Sequence, residues 1–192
     1  KLRPRMETEV ASGKSIVNPF FLLGLSDDPG LARSCAAHYG RDLLQGVVTA
    51  PSSKPARCGK IRLAYLSTDF RLHAVGHLMI GIIEQHDRNL FELTGVSHGP
   101  EESSFIRARF KKAFDHFIDA EGISDAKLVA RLRALNFDIA VDLSGYARGA
   151  RPAVMALRPA PIQVSYLGFP ASMAADFIDG IIADTIVLPE EQ

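Results

Sequence analysis

The chain has 192 residues, 47% of them apolar and 23% charged, and its 22 lysines and arginines balance 22 aspartates and glutamates. That length suits one domain with a sizeable core, or one domain with an appendage. The charge balance excludes a global pull toward nucleic acid or an anionic membrane, and no apolar run approaches the roughly 20 residues of a membrane span. The opening Lys1-Leu-Arg-Pro-Arg-Met6 has no apolar stretch behind it and does not read as a signal peptide. Cys35 and Cys58 lack metal-ligand spacing and are expected to be free thiols of a reducing cytoplasm. The chain starts on Lys1 instead of methionine and stops on Leu188-Pro-Glu-Glu-Gln192, so it reads as a stretch of a longer polypeptide.

Residues 1 to about 45 read as helical with one interruption. Asn18-Pro19-Phe20-Phe21-Leu22-Leu23 opens a short apolar helix, and Ser26-Asp27-Asp28-Pro29 is an N-cap cluster with proline at the first helical position. The next helix is expected from Gly30 to Leu44, with Leu31, Cys35, Ala36, Tyr39 and Leu43 as its apolar positions. Thr49 to Ala56 holds two prolines and two serines and reads as a linker.

After Lys60 strands and helices alternate. Strands are predicted at Ile61–Ser67, Phe91–Ser97, His116–Asp119, Ile139–Leu143, Ile162–Leu167 and Ile178–Ala183. Helices are predicted at Val75–His86, Phe105–Phe114 and Ser124–Leu135, with a helical turn at Pro152–Leu157. In the first of these helices Leu78, Ile82 and Ile83 fall on one side; in the third, Leu128, Leu132 and Leu135 recur at helical spacing. Strands separated by helices imply βαβ units, right-handed crossovers and a mostly parallel α/β sheet covered by helices.

Three strand-end turns carry the chemical candidates. Ligands of open α/β sheets bind beyond the carboxyl ends of the strands. After the first strand come Asp69 and, four residues on, His73. An acid and an imidazole there can do proton chemistry; equally, Asp69 can simply cap the following helix, or cap it while fixing a histidine tautomer. His73 and His77 are one helical turn apart, but no HExxH signature or third ligand accompanies them, so His77 is expected to pack or to bond a carbonyl. After the fourth strand, Asp142-Leu-Ser-Gly-Tyr-Ala-Arg-Gly-Ala-Arg151 is either a glycine turn with solvated arginines or a close approach to a ligand whose anion meets Arg148 and Arg151. It matches no P-loop pattern. After the fifth, Tyr166-Leu-Gly-Phe-Pro-Ala171 is a tight turn, or an apolar wall with a backbone amide from Gly168.

The segments Ser67-Thr-Asp-Phe70, His73, His77-Leu-Met79, Ser144-Gly-Tyr146, Gly149-Ala-Arg151, Leu157-Arg-Pro-Ala-Pro-Ile-Gln163 and Leu167-Gly-Phe-Pro170 occur in this order. Together they resemble the amino-terminal catalytic lobe of the O-linked N-acetylglucosamine transferases, glycosyltransferase family 41, over Lys60 to Thr185. The resemblance favours a bacterial member over an animal one. It implies one Rossmann-like lobe of a two-lobe GT-B enzyme (residues 57–192), preceded by a helical junction and linker (residues 1–56) to a tetratricopeptide array. The second lobe, which in that family holds most of the nucleotide sugar, lies outside this chain.

By resemblance the activity is inverting transfer of N-acetylglucosamine from UDP-N-acetylglucosamine to serine or threonine hydroxyls of acceptor proteins in the cytoplasm. Asp69 and His73 fall on positions that serve the acceptor hydroxyl, with His73 as general base or substrate-positioning residue. Leu167, Gly168 and Pro170 fall on the sugar and acceptor side of the cleft, and Gly145 and Tyr146 are further substrate-binding candidates. No cofactor or metal is implied; partners are the UDP-sugar, acceptor peptides, the second lobe and the array, without nucleic acid. Animal members carry Pro and Thr after the catalytic histidine, where this chain has Ala74 and Val75, and a histidine cluster where it has Asn18-Pro-Phe-Phe21. The residues also fit two other readings: the same architecture with another donor, such as GDP-fucose or UDP-glucose, and a non-catalytic Rossmann-like module that docks partners.

Overall fold

The computed structural model describes residues 2–13, 17–49 and 59–189. Cys58 and all but Thr49 of the predicted linker lie outside them. Three helices come first: α1 (Leu2–Ala11), α2 (Pro19–Leu23) and α3 (Pro29–Leu43). The alternating part follows as β1 (Ile61–Ser67), α4 (Ala74–Gln85), β2 (Phe91–Ser97), α5 (Phe105–Ala113), β3 (His116–Asp119), α6 (Asp125–Ala134), β4 (Ile139–Asp142), α7 (Pro152–Ala156), β5 (Ile162–Tyr166) and β6 (Gly180–Ile182). Among the described residues no helix is long and apolar enough to cross a membrane.

All six strands pair in parallel, in the order β3-β2-β1-β4-β5-β6. The order reverses between β1 and β4, so the chain leaves these two neighbours toward opposite faces and opens a crevice at their carboxyl ends. Alternation along β1 shows how the faces divide. Leu63 and Tyr65 join Phe70, Met79, Ile83, Ile106, Phe110 and Phe114 under α4 and α5. Ala64 and Leu66 join Val96, Leu128, Leu132, Val154 and Met155 under α6 and α7. With both faces covered, β1 is buried without a break from Leu63 and β2 from Leu93, as expected of central parallel strands.

The starts of the elements follow their caps. Asp28 Oδ1 accepts the Gly30 and Leu31 amides at 2.8 and 3.1 Å and starts α3 behind Pro29. Ser104 Oγ does the same for α5 through Arg107 N. Val10, Leu22 and Cys35 form a small cluster among α1, α2 and α3. The Cys35 thiol donates to the Val17 carbonyl, and burial pushes its pKa up.

Three helix faces differ from the sequence expectation. In α4 the sheet takes Val75, Gly76, Met79, Ile80 and Ile83, while Leu78 is 59% exposed and Ile82 is exposed as well. The two apolar stripes are adjacent, and the buried one contains Gly76, where any side chain would run into the Arg71 carbonyl. In α6, Leu128 and Leu132 are buried, but Leu135 is the exposed C-cap. Likewise Leu43 of α3 is exposed and Gly40 takes the buried place.

This assignment is testable by paired substitution. Ile83→Ala should cost about 2–5 kcal/mol, the range for truncating a buried aliphatic. Leu78→Ser should stay within about 0.5 kcal/mol. Urea unfolding followed by circular dichroism reads both, and the reverse ranking would mean that α4 presents the other stripe to the sheet.

Candidate active site

The chain leaves β1 at Ser67 and turns through residues 68–72 into α4. This turn is fixed from several sides. The Asp69 amide donates to Ser67 Oγ at 2.9 Å, and the Thr68 amide donates across to Ser144 Oγ at 3.2 Å. Phe70 is wholly buried against Phe110, Phe114 and Phe117. Arg107 on α5 donates to the Phe70 carbonyl at 3.4 Å and to Ser97 Oγ at 3.1 Å, and pairs with Asp119. The Leu72 amide donates to Glu102 Oε1 at 2.7 Å. The Ser104 hydroxyl, and after it that bond, hold the Glu102 carboxyl below its usual pKa.

Asp69 and His73 meet in this turn. The Asp69 carboxylate is 8% exposed. Its Oδ1 accepts from Arg71 Nε at 3.2 Å and Nη2 at 2.9 Å. Its Oδ2 lies 3.6 Å from His73 Nδ1, an electrostatic contact longer than a hydrogen bond. The His73 side chain is 41% exposed. The capping role considered for Asp69 belongs to His73: its Nδ1 accepts the Val75 amide at 3.3 Å at the start of α4. Accepting that proton requires a lone pair on Nδ1, which puts the proton of the neutral ring on Nε2.

The turn after β4 is built around a buried carboxylate. Asp142 Oδ1 accepts the Ser144 amide at 2.9 Å, and Oδ2 accepts the Gly145 amide at 3.1 Å. Burial raises the Asp142 pKa to about 6 against the pull of those two amides. Gly145 sits at φ +53°, where a side chain would also strike Phe169. Tyr146 is 2% exposed, with its ring edge-on to Tyr39 at 5.3 Å and to Phe169 at 5.6 Å. Burial, then Asp142 and Tyr39, push its phenol up to about 12. The Asn18 amide nitrogen donates to both the Tyr146 carbonyl and the Tyr39 hydroxyl at 3.3 Å, so this turn is tied to the N-terminal helices.

In the turn after β5, Leu167 has φ +65° and packs half-buried on the α4 side. The Gly168 amide donates to the Tyr166 carbonyl at 2.8 Å. Gly168 lies directly against the Leu143 carbonyl, and a Cβ there would also come within 3.5 Å of Val75. Asp69, His73, Gly145 and Gly168 are thereby brought to one rim. Pro170 is exposed beside it. A largely apolar pocket of about 720 Å³ adjoins the rim through Leu167 and Pro170 and extends along Phe169, Met173, Ile181 and Leu188. Asp69 and His73 do not line it.

Other candidates separate. Arg151 is not available to a ligand anion: it pairs with Asp125 at 2.7 Å and donates to the Ala120 and Ile123 carbonyls. Arg148 is exposed, with no ion-pair partner among the described residues. His77 is exposed and lies 6.3 Å from the Phe105 ring instead of packing into its helix. Among the described residues no three His, Cys, Asp or Glu side chains converge on a possible metal position. Sequence reasoning passed over Arg71, Asp142 as an anchor of its own turn, and His98. The first two had local signals: an arginine two residues beyond an acid in a turn, and an aspartate before Ser-Gly at the end of an apolar strand. His98 had none. It follows β2, its Nε2 is buried without a partner, and burial and Arg151 hold its pKa down at about 3.

Asp142 and His98 give opposite pH dependences. Asp142 titrates near 6 in the fold against an ordinary 3.8, so its stabilising contribution is full below that lower value and is lost as pH rises through 6. His98 titrates near 3 against 6.5, so its contribution is full above 6.5 and is lost as pH falls toward 3. Each slope is about 1 kcal/mol per pH unit, and they cancel over about pH 4 to 6. Relative to the parent, Asp142→Asn should therefore lose stability on acidification from pH 7 to 4, and His98→Gln should gain it. Difference curves of melting temperature against pH that stay flat for both would refute the two burial effects.

Comparison with known proteins fits this arrangement. Residues 44–192 match the model of Glycosyl transferase family 41. The chain is 30% identical over 184 residues to a probable UDP-N-acetylglucosamine–peptide N-acetylglucosaminyltransferase, SEC, of Arabidopsis thaliana, covering 90% of this chain and 19% of that protein. It is 34% identical over 131 residues to the UDP-N-acetylglucosamine–peptide N-acetylglucosaminyltransferase of Caenorhabditis elegans, covering 68% of this chain and 11% of that protein. The structure of the K341M mutant of the Thermobaculum terrenum O-GlcNAc transferase superposes with a TM-score of 0.77 at 29% identity, over 86% of this chain and 32% of that one. The chain thus spans a fifth or less of these two curated relatives, and it belongs to glycosyltransferase family 41.

Proposed function

We propose that this chain is the acceptor-side catalytic lobe of an inverting transferase that moves N-acetylglucosamine from UDP-N-acetylglucosamine to serine or threonine hydroxyls of proteins. One observation carries the reading: the buried Asp69 and the half-exposed His73 sit together at the carboxyl end of β1, next to the strand-order reversal, with Gly145 and Gly168 on the same rim. The activities named for the Arabidopsis and Caenorhabditis relatives support the substrate class. Their extra length supports a second lobe in the same polypeptide, bearing most contacts to the nucleotide. Residues 1–56 would join a tetratricopeptide array to the lobe in a cytoplasmic protein. Ala74 and Val75, in place of Pro and Thr, fit a bacterial member.

In the reaction the acceptor oxygen attacks the anomeric carbon as the bond from that carbon to the diphosphate breaks. UDP leaves with the bonding electron pair, and the configuration inverts. The acceptor proton goes to His73 Nε2. A protonated hydroxyl is a weak nucleophile, and a base within hydrogen-bond reach removes that limitation. Nε2 accepts a proton only in the tautomer with hydrogen on Nδ1, and Asp69 Oδ2 is the acceptor that stabilises this tautomer and the imidazolium formed from it. Leu167 and Pro170 supply an apolar wall. Gly145 and Gly168 allow close approach of backbone to substrate, and the buried Tyr146 ring anchors the turn whose backbone borders the cleft. The diphosphate charge is met by protein groups, chiefly on the second lobe.

In the two-lobe protein, His73→Ala should lower turnover by about 10²-fold or more at saturating donor and acceptor, while KM for the donor changes less. Near-normal turnover would remove His73 from the mechanism. Residues 1–192 alone should neither transfer radiolabelled sugar nor bind UDP tightly, because the positioning contribution of a second lobe is missing. Micromolar UDP affinity by calorimetry, or measurable transfer, would contradict the two-lobe reading.

A further inference from the structure

We infer that Arg71 is a positioning residue for the transfer reaction: it fixes the Asp69 carboxylate so that one oxygen is committed to the guanidinium and the other is held toward His73. This rests on the proposed roles of Asp69 and His73.

Two opposed demands compete for His73 Nδ1. Two groups face that nitrogen: the Val75 amide at 3.3 Å, which needs a lone pair there, and Asp69 Oδ2 at 3.6 Å, which needs a proton there. The ring cannot satisfy both. With the amide bound, Nε2 carries the proton and is no base. With Asp69 bound, Nε2 has the lone pair that the acceptor requires. Which state is reached depends on where Oδ2 points, and a carboxylate free to rotate about its last bond would offer either oxygen to any donor.

Arg71 removes that freedom. Both Nε and Nη2 donate to the same oxygen, Oδ1, at 3.2 and 2.9 Å. Two rigidly spaced donors converging on one oxygen fix where Oδ1 lies, and with Cβ and Cγ in place this sets where Oδ2 points; the single flexible ammonium of a lysine holds that oxygen less closely. The Asp69 amide is itself held by Ser67 Oγ, so backbone and side chain are both restrained. Arg71 is restrained in turn. The next amide, Leu72, donates to Glu102, and the carbonyl before it, Phe70, accepts from the buried Arg107. The ion pair is also sheltered: the Asp69 side chain is 8% exposed and that of Arg71 31%. A carboxylate this deep in the protein needs hydrogen-bond donors or a charged partner, and the Oδ1 bonds to Arg71 provide both without occupying Oδ2.

The test uses the two-lobe protein with UDP-N-acetylglucosamine and a serine peptide. Arg71→Ala should lower kcat about 10- to 100-fold, the scale for misplacing a reacting group, with donor KM nearly unchanged. Arg71→Lys keeps the charge and should keep the melting temperature, yet should lose most of the same kcat because the fork is gone. On an Asp69→Asn background, Arg71→Ala should cause no further loss. Added guanidinium should restore part of the Arg71→Ala turnover only where Asp69 is intact. Parental kcat in Arg71→Lys, equal losses from Arg71→Ala on both backgrounds, or a loss confined to donor KM would each overturn the inference. If Arg71→Ala does not fold, Arg71→Lys decides alone. His73→Ala separates the levels: an inactive His73→Ala beside a fully active Arg71→Lys removes only Arg71, whereas a fully active His73→Ala removes the base and this inference with it.

Discussion

The pairing of β1 with β4, Leu63 to Leu66 against Ile139 to Asp142, is the constraint on which the rim depends. These strands are far apart in the chain, and their chain exits turn to opposite faces of the sheet. Side chains following β1 and β4 therefore confront each other across a crevice instead of being covered by a common helix. The Thr68 amide on Ser144 Oγ closes the crevice at its base. Beyond it, β5 pairs with β4 in register, Ser165 opposite Asp142, which lays Gly168 against the Leu143 carbonyl. A side chain at Gly168 would part the two turns and displace the wall formed by Leu167 and Pro170.

Electrostatics then separates the polar groups near the rim whose partners are fixed from the one whose partners compete. Asp142, Arg107 and Arg151 are anchors: their charges or lone pairs are consumed by backbone amides, carbonyls and fixed partners. Such groups hold turns in place because leaving them unpaired would be costly. His73 differs. It is only part-buried, and its single inward nitrogen has two suitors of opposite demand. The proposed base role of His73 draws on this competition, since a change of partner at Nδ1 goes with a change in which ring nitrogen carries the proton.

The N-terminal helices are part of the same construction. Asn18 accepts the Phe20 amide to start α2 and uses its other end on the Tyr146 carbonyl and the Tyr39 hydroxyl. Phe20 approaches Phe169 at 6.3 Å, and Gly40 leaves room for the Tyr146 hydroxyl. Displacement of α2 or α3 would thus be felt first at the Gly145–Tyr146 turn, through aromatic packing rather than charge. Leu78 and Ile82, by contrast, lie exposed on α4, on the outer face of its layer.

The residues alone determined the six strands, the parallel class and the three polar turns. Apolar runs bounded by Gly, Pro and Asp are local signals, and βαβ spacing leaves little choice of topology. Asp69, His73, Gly145 and Gly168 were legible because each follows an apolar run at which a strand must end. Tertiary structure alone decided what those turns do with their side chains. Both apolar stripes of α4 have helical spacing, and only the close approach of Gly76 to the Arg71 carbonyl picks the one that meets the sheet. Arg151 and Arg71 look alike in sequence, yet one is spent on Asp125 and carbonyls near α6 while the other grips Asp69. His73, not Asp69, caps α4, because its Nδ1 comes within 3.3 Å of the Val75 amide while Asp69 Oδ1 is taken by Arg71 at 2.9 and 3.2 Å. These distances are set by the packing of the whole turn, on which spacing along the chain carries no information.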